Sequence, residues 1–175
     1  MMRILTVIGR KNAGKTTLTV ALAAELIRRG RRIMTIKHGH HPADVDRSGS
    51  DTYRHFHEGR AERTLIAAPT LRVLFERTPD DYDPVALARR YMDGADLVLC
   101  EGFKQSSLPK IEVWRRAIGG KPLYDPTAPN ASEWIAIMTD DRDMGVEAAC
   151  LVLSFSDTNW LHTLANLAWD RALTL

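Results

Sequence analysis

The apolar positions change period several times along the chain, and each change marks an element. Residues 3–8 hold Ile4, Leu5, Val7 and Ile8 in a short, largely β-branched run that reads as a buried strand. From Thr16 to Arg29 the period becomes helical through Leu18, Ala21, Leu22 and Leu26, and Gly30 supplies a C-terminal stop. Arg32 to Lys37 returns to a strand pattern with Ile33, Met34 and Ile36. A helix between two strands predicts a βαβ unit with a parallel pair.

Ser50 or Asp51 can cap a short helix that runs to His57 and stops at Gly59. Residues 64–67 and 71–75 read as strands joined by the Ala68-Pro69-Thr70 turn, which suggests an antiparallel pair. Asp83 as cap and Pro84 in the first turn open a helix to about Met92. Leu97-Val98-Leu99-Cys100 is uniformly apolar, as a central strand buried on both faces must be. Ile111 to Arg115 alternates like a strand with one wet face, and the breakers Gly120, Pro122, Pro126 and Pro129 make residues 119–129 a long surface loop. Trp134 to Met138 and Leu151 to Leu153 read as the last strands. Asp157 or Thr158 then caps a terminal helix that carries Leu161, Leu164, Ala165 and Ala168.

Composition changes this picture little. The 175 residues are 45% hydrophobic and 26% charged, ordinary for one globular domain with a substantial core. A net charge of +2 is too small to argue by itself for nucleic acid or a membrane surface. The apolar runs are too short to span a membrane, and the chain enters a strand with no signal-peptide pattern, so a cytoplasmic location is expected. Cys100 and Cys150 sit in apolar strand-like settings, which favours buried thiols over a disulfide.

The chemistry concentrates at strand ends. Gly9-Arg10-Lys11-Asn12-Ala13-Gly14-Lys15-Thr16-Thr17 satisfies the spacing G-x-x-x-x-G-K-[ST], and it lies between a strand and a helix, the context that defines a phosphate-binding loop. Glycines let the backbone of Gly9, Asn12, Ala13 and Gly14 wrap phosphate oxygens. Lys15 reaches the β- and γ-phosphates, the Thr16 hydroxyl suits Mg²⁺, and the helix start at Thr16 and Thr17 adds unpaired N–H groups. In an open parallel sheet ligands bind beyond the carboxyl ends of the strands. There the second strand delivers Lys37, His38, His40 and His41, the central strand delivers Glu101, and the late strand delivers Asp140. Glu101 is the acidic strand-end residue expected to hold Mg²⁺ opposite the loop and to act with Lys15 in catalysis. Asp96, its rival, falls at the amino end of the same strand. Asp44 and Asp46 touch Mg²⁺, or order the attacking water, or are turn residues, with Asp46 the catalytic candidate. The histidines read as anion-contacting or surface groups, with a transition-metal site as the alternative. Trp114, beside Arg115, is the tryptophan best placed to stack on a ring system.

Together these features resemble the molybdopterin-guanine dinucleotide biosynthesis protein B (MobB) family, in the SIMIBI division of P-loop NTPases. The resemblance is carried by the GxxxxGKTT loop, Lys37-His38-x-His40-His41, Asp44-Val45-Asp46 with Gly49-x-Asp51, residues 96–104 through Glu101-Gly102-Phe103-Lys104, and Pro109-Lys110-Ile111-Glu112-Val113-Trp114-Arg115. It spans Gly9 to about Asp140. Glu58-Gly59-Arg60 departs from the family's usual Ala-Gly-Ala, and no N-K-x-D guanine motif is present, so the resemblance leaves Asp140 or Asp141 as the candidates to pair with a guanine base. The resemblance implies an α/β fold, a P-loop NTPase three-layer sandwich with a mostly parallel central sheet and helices on both faces, as a single nucleotide-binding domain over 1–175. It also implies a homodimer that binds GTP and Mg²⁺, hydrolyses GTP slowly at most, and supports the guanylyltransferase that joins molybdopterin to GMP. Lys104, Lys110 and Arg115 then belong to a basic motif that faces an anionic cofactor, with molybdopterin as a possible ligand. A nickel-type metal-insertion GTPase using the histidine-rich loop, a nucleotide-dependent adaptor that does no chemistry, and more remotely a small-molecule kinase are the competing readings.

Overall fold

The computed structural model describes residues 1–39, 45–78, 83–141, 144 and 150–175. In chain order the elements are β1 (Arg3–Gly9), α1 (Lys15–Arg28), β2 (Ile33–Lys37), α2 (Asp51–Tyr53, continued by a π-helical turn over Arg54–Glu58), β3 (Arg63–Ala67), β4 (Arg72–Glu76), α3 (Pro84–Tyr91), β5 (Leu97–Glu101), β6 (Lys110–Trp114), β7 (Trp134–Thr139), β8 (Leu151–Ser154), α4 (Trp160–Arg171) and β9 (Leu173–Thr174). They pack as two compact units, one of Met1–His38 with Asp83–Leu175 and the other of Gly39–Tyr82.

The larger unit is built on a seven-stranded sheet in the order β2-β5-β1-β6-β7-β8, all parallel, with β9 antiparallel to the start of β1. Alternate residues of β1 enter different cores. Leu5 and Val7 join Leu18, Leu22 and Leu26 of α1 and Leu164, Ala165 and Ala168 of α4 on one face. On the other face Ile4 packs with Ala88 of α3, and Ile8 with Tyr124, Trp134 and Ile137. The result is the expected three layers, with helices against both faces of a mostly parallel sheet.

Several local expectations are corrected. β1 and β2 are parallel but not neighbours, because β5 lies between them. All five residues of β5 are buried, so it takes the slot with a strand on either side, while β2, only partly covered, goes to the edge. β6 has no wet face, since Lys110 and Glu112 are 0% and 1% exposed between β1 and β7. The segment after β6 is not simply a surface loop. The backbone N–H groups of Leu123 and Tyr124 donate to the Glu112 carboxylate at 2.6 and 2.9 Å, and Tyr124 is buried over the sheet. The first helical turn of α4 begins after Asn159 with no side-chain cap, and Asp157 instead accepts the Ser154 N–H. The Asp83 cap holds as predicted, through the N–H groups of Val85 and Ala86. Both cysteines are free thiols, Cys100 buried and Cys150 half-buried.

In the smaller unit β3 and β4 form the predicted antiparallel hairpin, with Leu65 opposite Leu74. Of the two caps considered, Ser50 is the one used: its hydroxyl accepts the Tyr53 N–H at 3.1 Å. Among the described residues no helix is long and apolar enough to cross a membrane.

Candidate nucleotide site

The loop that leaves β1 is shaped by three residues with positive φ: Gly9 at +147°, Asn12 at +63° and Gly14 at +101°. Gly9 is required by space as well as by conformation, because a Cβ there would sit 2.4 Å from the Val113 carbonyl oxygen on the neighbouring strand. Gly14 is the left-handed N-cap of α1, and the first turn of that helix carries no acidic side chain. Its positive dipole end is thus left for an external anion. Lys15 folds back, with Nζ donating to the Arg10 carbonyl at 2.8 Å. Burial holds its ammonium below the ordinary lysine pKa; Glu101 opposes that shift and Lys37 adds to it.

Glu101 ends β5 at the same sheet edge, in register with Val7 of β1 and Lys37 of β2. The turn behind it is rigid. Gly102 has φ +100°, a Cβ there would meet the His38 Cβ at 2.9 Å, and the Thr6 hydroxyl donates to the Gly102 carbonyl at 2.6 Å. The His38 ring lies flat on Phe103 with centroids 4.7 Å apart. So held, Glu101 is 9% exposed and its Oε1 accepts the Thr16 hydroxyl at 2.9 Å, while Lys37 Nζ lies 3.3 Å from the same oxygen.

A hydroxyl and a carboxylate oxygen 2.9 Å apart also fit Mg²⁺. Octahedral Mg²⁺ bonds of about 2.0–2.1 Å put adjacent ligand oxygens about 2.9 Å from one another. Asp96, at the opposite end of β5, accepts the Arg32 N–H at 2.8 Å and is remote from this edge in register.

Past β6, Arg115 donates from Nε to the Ala13 carbonyl at 3.0 Å, and its guanidinium lies over Phe155 and 3.6 Å from Asp140. Asp140 also accepts the Arg116 N–H at 3.0 Å, and Asp141 pairs with the Arg116 guanidinium at 2.7 Å. Both carboxylates considered for the base are thus engaged by arginines. Trp114 donates its indole N–H to the Gly120 carbonyl at 3.0 Å and packs beside the Tyr124–Trp134 core.

The other sequence candidates fall elsewhere. Lys110 departs from the expectation of an anion-facing group: it is fully buried, donates to the carbonyls of Ser106 and Leu108, and pairs with Glu133. Lys104 is exposed in the loop after β5, and Thr17 is exposed in the first turn of α1. In the smaller unit, Asp46 accepts the hydroxyls of Ser50 and Thr52, each at 2.9 Å. His40, His41 and Asp44 lie outside the described residues. Among the described residues no group of three or more His, Cys, Asp or Glu is gathered as a metal site. Sequence reasoning missed Glu112, the link from Arg115 to the loop, and Phe155. The network of Glu112 depends on the fold-back of residues 123–124 and on β7 lying beside β6, and the link from Arg115 depends on β6 lying beside β1, none of which a local pattern announces.

The sequence profile of the family described as molybdopterin guanine dinucleotide synthesis protein B matches residues 4–140. The chain is 32% identical over 167 residues to the molybdopterin-guanine dinucleotide biosynthesis adapter protein of Haemophilus influenzae, covering 91% of this chain and 89% of that protein. It is 39% identical over 126 residues to the Escherichia coli protein of the same description, covering 70% and 71%. The crystal structure of a MobB homologue from Bacillus stearothermophilus superposes with a TM-score of 0.66 at 25% identity, covering 96% of this chain and 99% of that one. Bacillus subtilis MobB shares the fold with a TM-score of 0.67 at 20% identity, covering 94% and 97%.

Proposed function

The chain belongs to the molybdopterin guanine dinucleotide synthesis protein B family, and from that premise we propose that it is a GTP-binding adapter in formation of the molybdopterin guanine dinucleotide cofactor. The observation that carries the nucleotide part is the Thr16–Glu101 contact at 2.9 Å, set beside a glycine loop that satisfies the phosphate-binding spacing in full. The two relatives described as adapter proteins carry the pathway. In this reading the loop backbone and the start of α1 hold the phosphates, Lys15 leaves the Arg10 carbonyl for the β- and γ-oxygens, and Thr16 with Glu101 holds Mg²⁺. When bound, Mg²⁺ neutralises charge that develops on those oxygens. Turnover is slow, roughly 10⁻⁴ to 10⁻² s⁻¹ for a site that lacks a partner's assistance. The chain works as a cytoplasmic homodimer and docks to the enzyme that joins molybdopterin to GMP. The exposed Lys104 and the half-exposed Arg115 are the basic residues left to meet an anionic cofactor.

Calorimetry of the purified chain with GTP, GDP and ATP, each with and without Mg²⁺, tests this. GTP binding that tightens with Mg²⁺ and weakens in Glu101→Gln supports it; equal binding of ATP and GTP removes the guanine reading, and no binding removes the site. A second reading, an adapter that needs bound nucleotide but no hydrolysis, is favoured by Asp46, whose two carboxylate oxygens are both taken by hydroxyls. If a Glu101 variant that still binds nucleotide loses slow turnover while cofactor maturation continues, the adapter acts without chemistry, and Asp46→Asn is expected to leave turnover unchanged.

A further inference from the structure

Lys37 ends β2 beside Glu101, its register partner on β5. Its Nζ is 3.3 Å from Glu101 Oε1, the oxygen that also accepts the Thr16 hydroxyl. The pair is asymmetric. The carboxylate side chain is 11% exposed and fixed by the turn behind it, whereas the lysine side chain is 67% exposed on a flexible four-carbon stem. One partner is held and the other is free to swing. A cation that takes Glu101 Oε1 must displace the Lys37 ammonium, and two like charges cannot share that oxygen without cost. A nucleoside triphosphate brings the negative charge that would receive the displaced lysine. Order along the edge places it: β5 with Glu101 lies between β2 and β1, so Lys37 approaches from the side opposite Arg115, which follows β6.

We propose that Lys37, whose ammonium lies at Glu101 Oε1, gives up that oxygen to a cation and moves to the terminal phosphate of an incoming nucleoside triphosphate, so that it sets the preference for triphosphate over diphosphate. The inference rests on the nucleotide reading above and adds a residue and a selectivity to it. Lys15 serves both ligands through the β-phosphate; Lys37 serves the one that has a γ-phosphate.

The test uses the full chain and Lys37→Met, which keeps most of the stem and removes the charge, with a thermal melt to confirm folding at this exposed position. Binding of GDP and of the non-hydrolysable β,γ-imido analogue of GTP is measured by calorimetry with Mg²⁺. The variant is expected to lose about tenfold or more in affinity for the triphosphate analogue, the size of one charge-assisted hydrogen bond, and less than about threefold for GDP. In the nucleotide-free protein, Mn²⁺ binding followed by electron paramagnetic resonance is expected to tighten in the variant, because the competing ammonium is gone. An unchanged ratio of triphosphate to diphosphate affinity overturns the inference while the nucleotide site stands. A wild-type chain that binds neither ligand overturns both.

Discussion

The Nε hydrogen of Arg115 is donated to the carbonyl oxygen of Ala13 at 3.0 Å, which ties the end of β6 to the middle of the glycine loop. The same guanidinium lies over the Phe155 ring and 3.6 Å from Asp140, so one side chain joins the loop to the ends of β7 and β8. Within the loop the Arg10 carbonyl accepts the Ala13 N–H and the Lys15 ammonium, and Arg115 adds a tether from outside that fixes the Ala13 peptide. Arg115→Ala is therefore expected to weaken nucleotide binding about tenfold, the order of one charge-assisted hydrogen bond, with a small change in melting temperature. Arg115→Lys, which keeps a charge without the planar fork, is expected to recover part of the loss. Calorimetry of the three proteins decides. A wild-type affinity in the alanine variant would mean that the loop holds its shape without Arg115.

Gly9 marks where the loop meets the sheet. A methyl group there would lie 2.4 Å from the Val113 carbonyl oxygen, in a chain held at φ +147°. The obstacle is backbone of a central strand and cannot turn aside. Gly9→Ala is expected to lose roughly 2–4 kcal/mol in urea denaturation, clash and conformational strain together. Gly30 provides the comparison: it also has positive φ, +81°, but a Cβ there has nothing within 4 Å. Gly30→Ala is expected to cost only about 1 kcal/mol, the backbone contribution alone. Equal costs would show that the contact with β6 is relieved at no expense.

The glycine loop, its flanking strand and helix, and the position of Glu101 at the end of β5 were all legible in the sequence because each is a local pattern. Spacing places the glycines, uniform apolarity places β5, and its last residue follows. Lys37 beside Glu101 was legible only as a shared edge, since the insertion of β5 between β1 and β2 is decided by which strand can bury both faces. Lys110 and Glu112 misled for a related reason. Alternating polar and apolar residues normally signal a wet face, but these two charges are buried beside β7 and answered by groups 22 and 23 residues away, Trp134 and Glu133. Charge pairing across such separations leaves no mark on local periodicity.

Glu112 offers a direct measure of that hidden network. Its carboxylate is 1% exposed and accepts the N–H groups of Leu123 and Tyr124 and the indole N–H of Trp134, at 2.6, 2.9 and 2.9 Å. All three donors come from the segment that covers one face of the sheet and from β7. Glu112→Gln keeps the shape but turns an NH₂ toward N–H donors, so at least one buried donor loses its acceptor. A loss of about 1–3 kcal/mol is expected on chemical denaturation, accompanied by a change in the native Trp134 fluorescence. A stability within error of wild type would show that the covering segment is held by Tyr124 packing instead.

Glu25, on α1, gives a pH dependence whose sign is fixed. Hydrogen bonds from the Arg28 and Arg29 side chains, at 2.9 and 2.7 Å, pull its carboxyl from the ordinary 4.5 down to about 2. The folded chain therefore holds the proton less tightly than the unfolded chain, so the unfolded state binds more protons through this range. The contribution of Glu25 to stability is fully present above about pH 5, falls between 4.5 and about 2, and is gone below that. Urea denaturation of wild type and Glu25→Gln across this window is expected to give curves that lie apart at neutral pH and converge as the acid limit is approached. Both arginines also hold α1 at its C-terminal turn, and Arg29 reaches Asn166 of α4 at 2.6 Å, so the variant is expected to loosen the packing of α1 on α4 as well. Added salt is expected to bring the neutral-pH curves part of the way together, because the Arg28 side chain is 72% exposed and counterions screen its pair with Glu25, while the more covered pair with Arg29 is screened less. If the two curves instead stay parallel down to the acid limit, Glu25 stabilises by packing alone and its charge has no part in it.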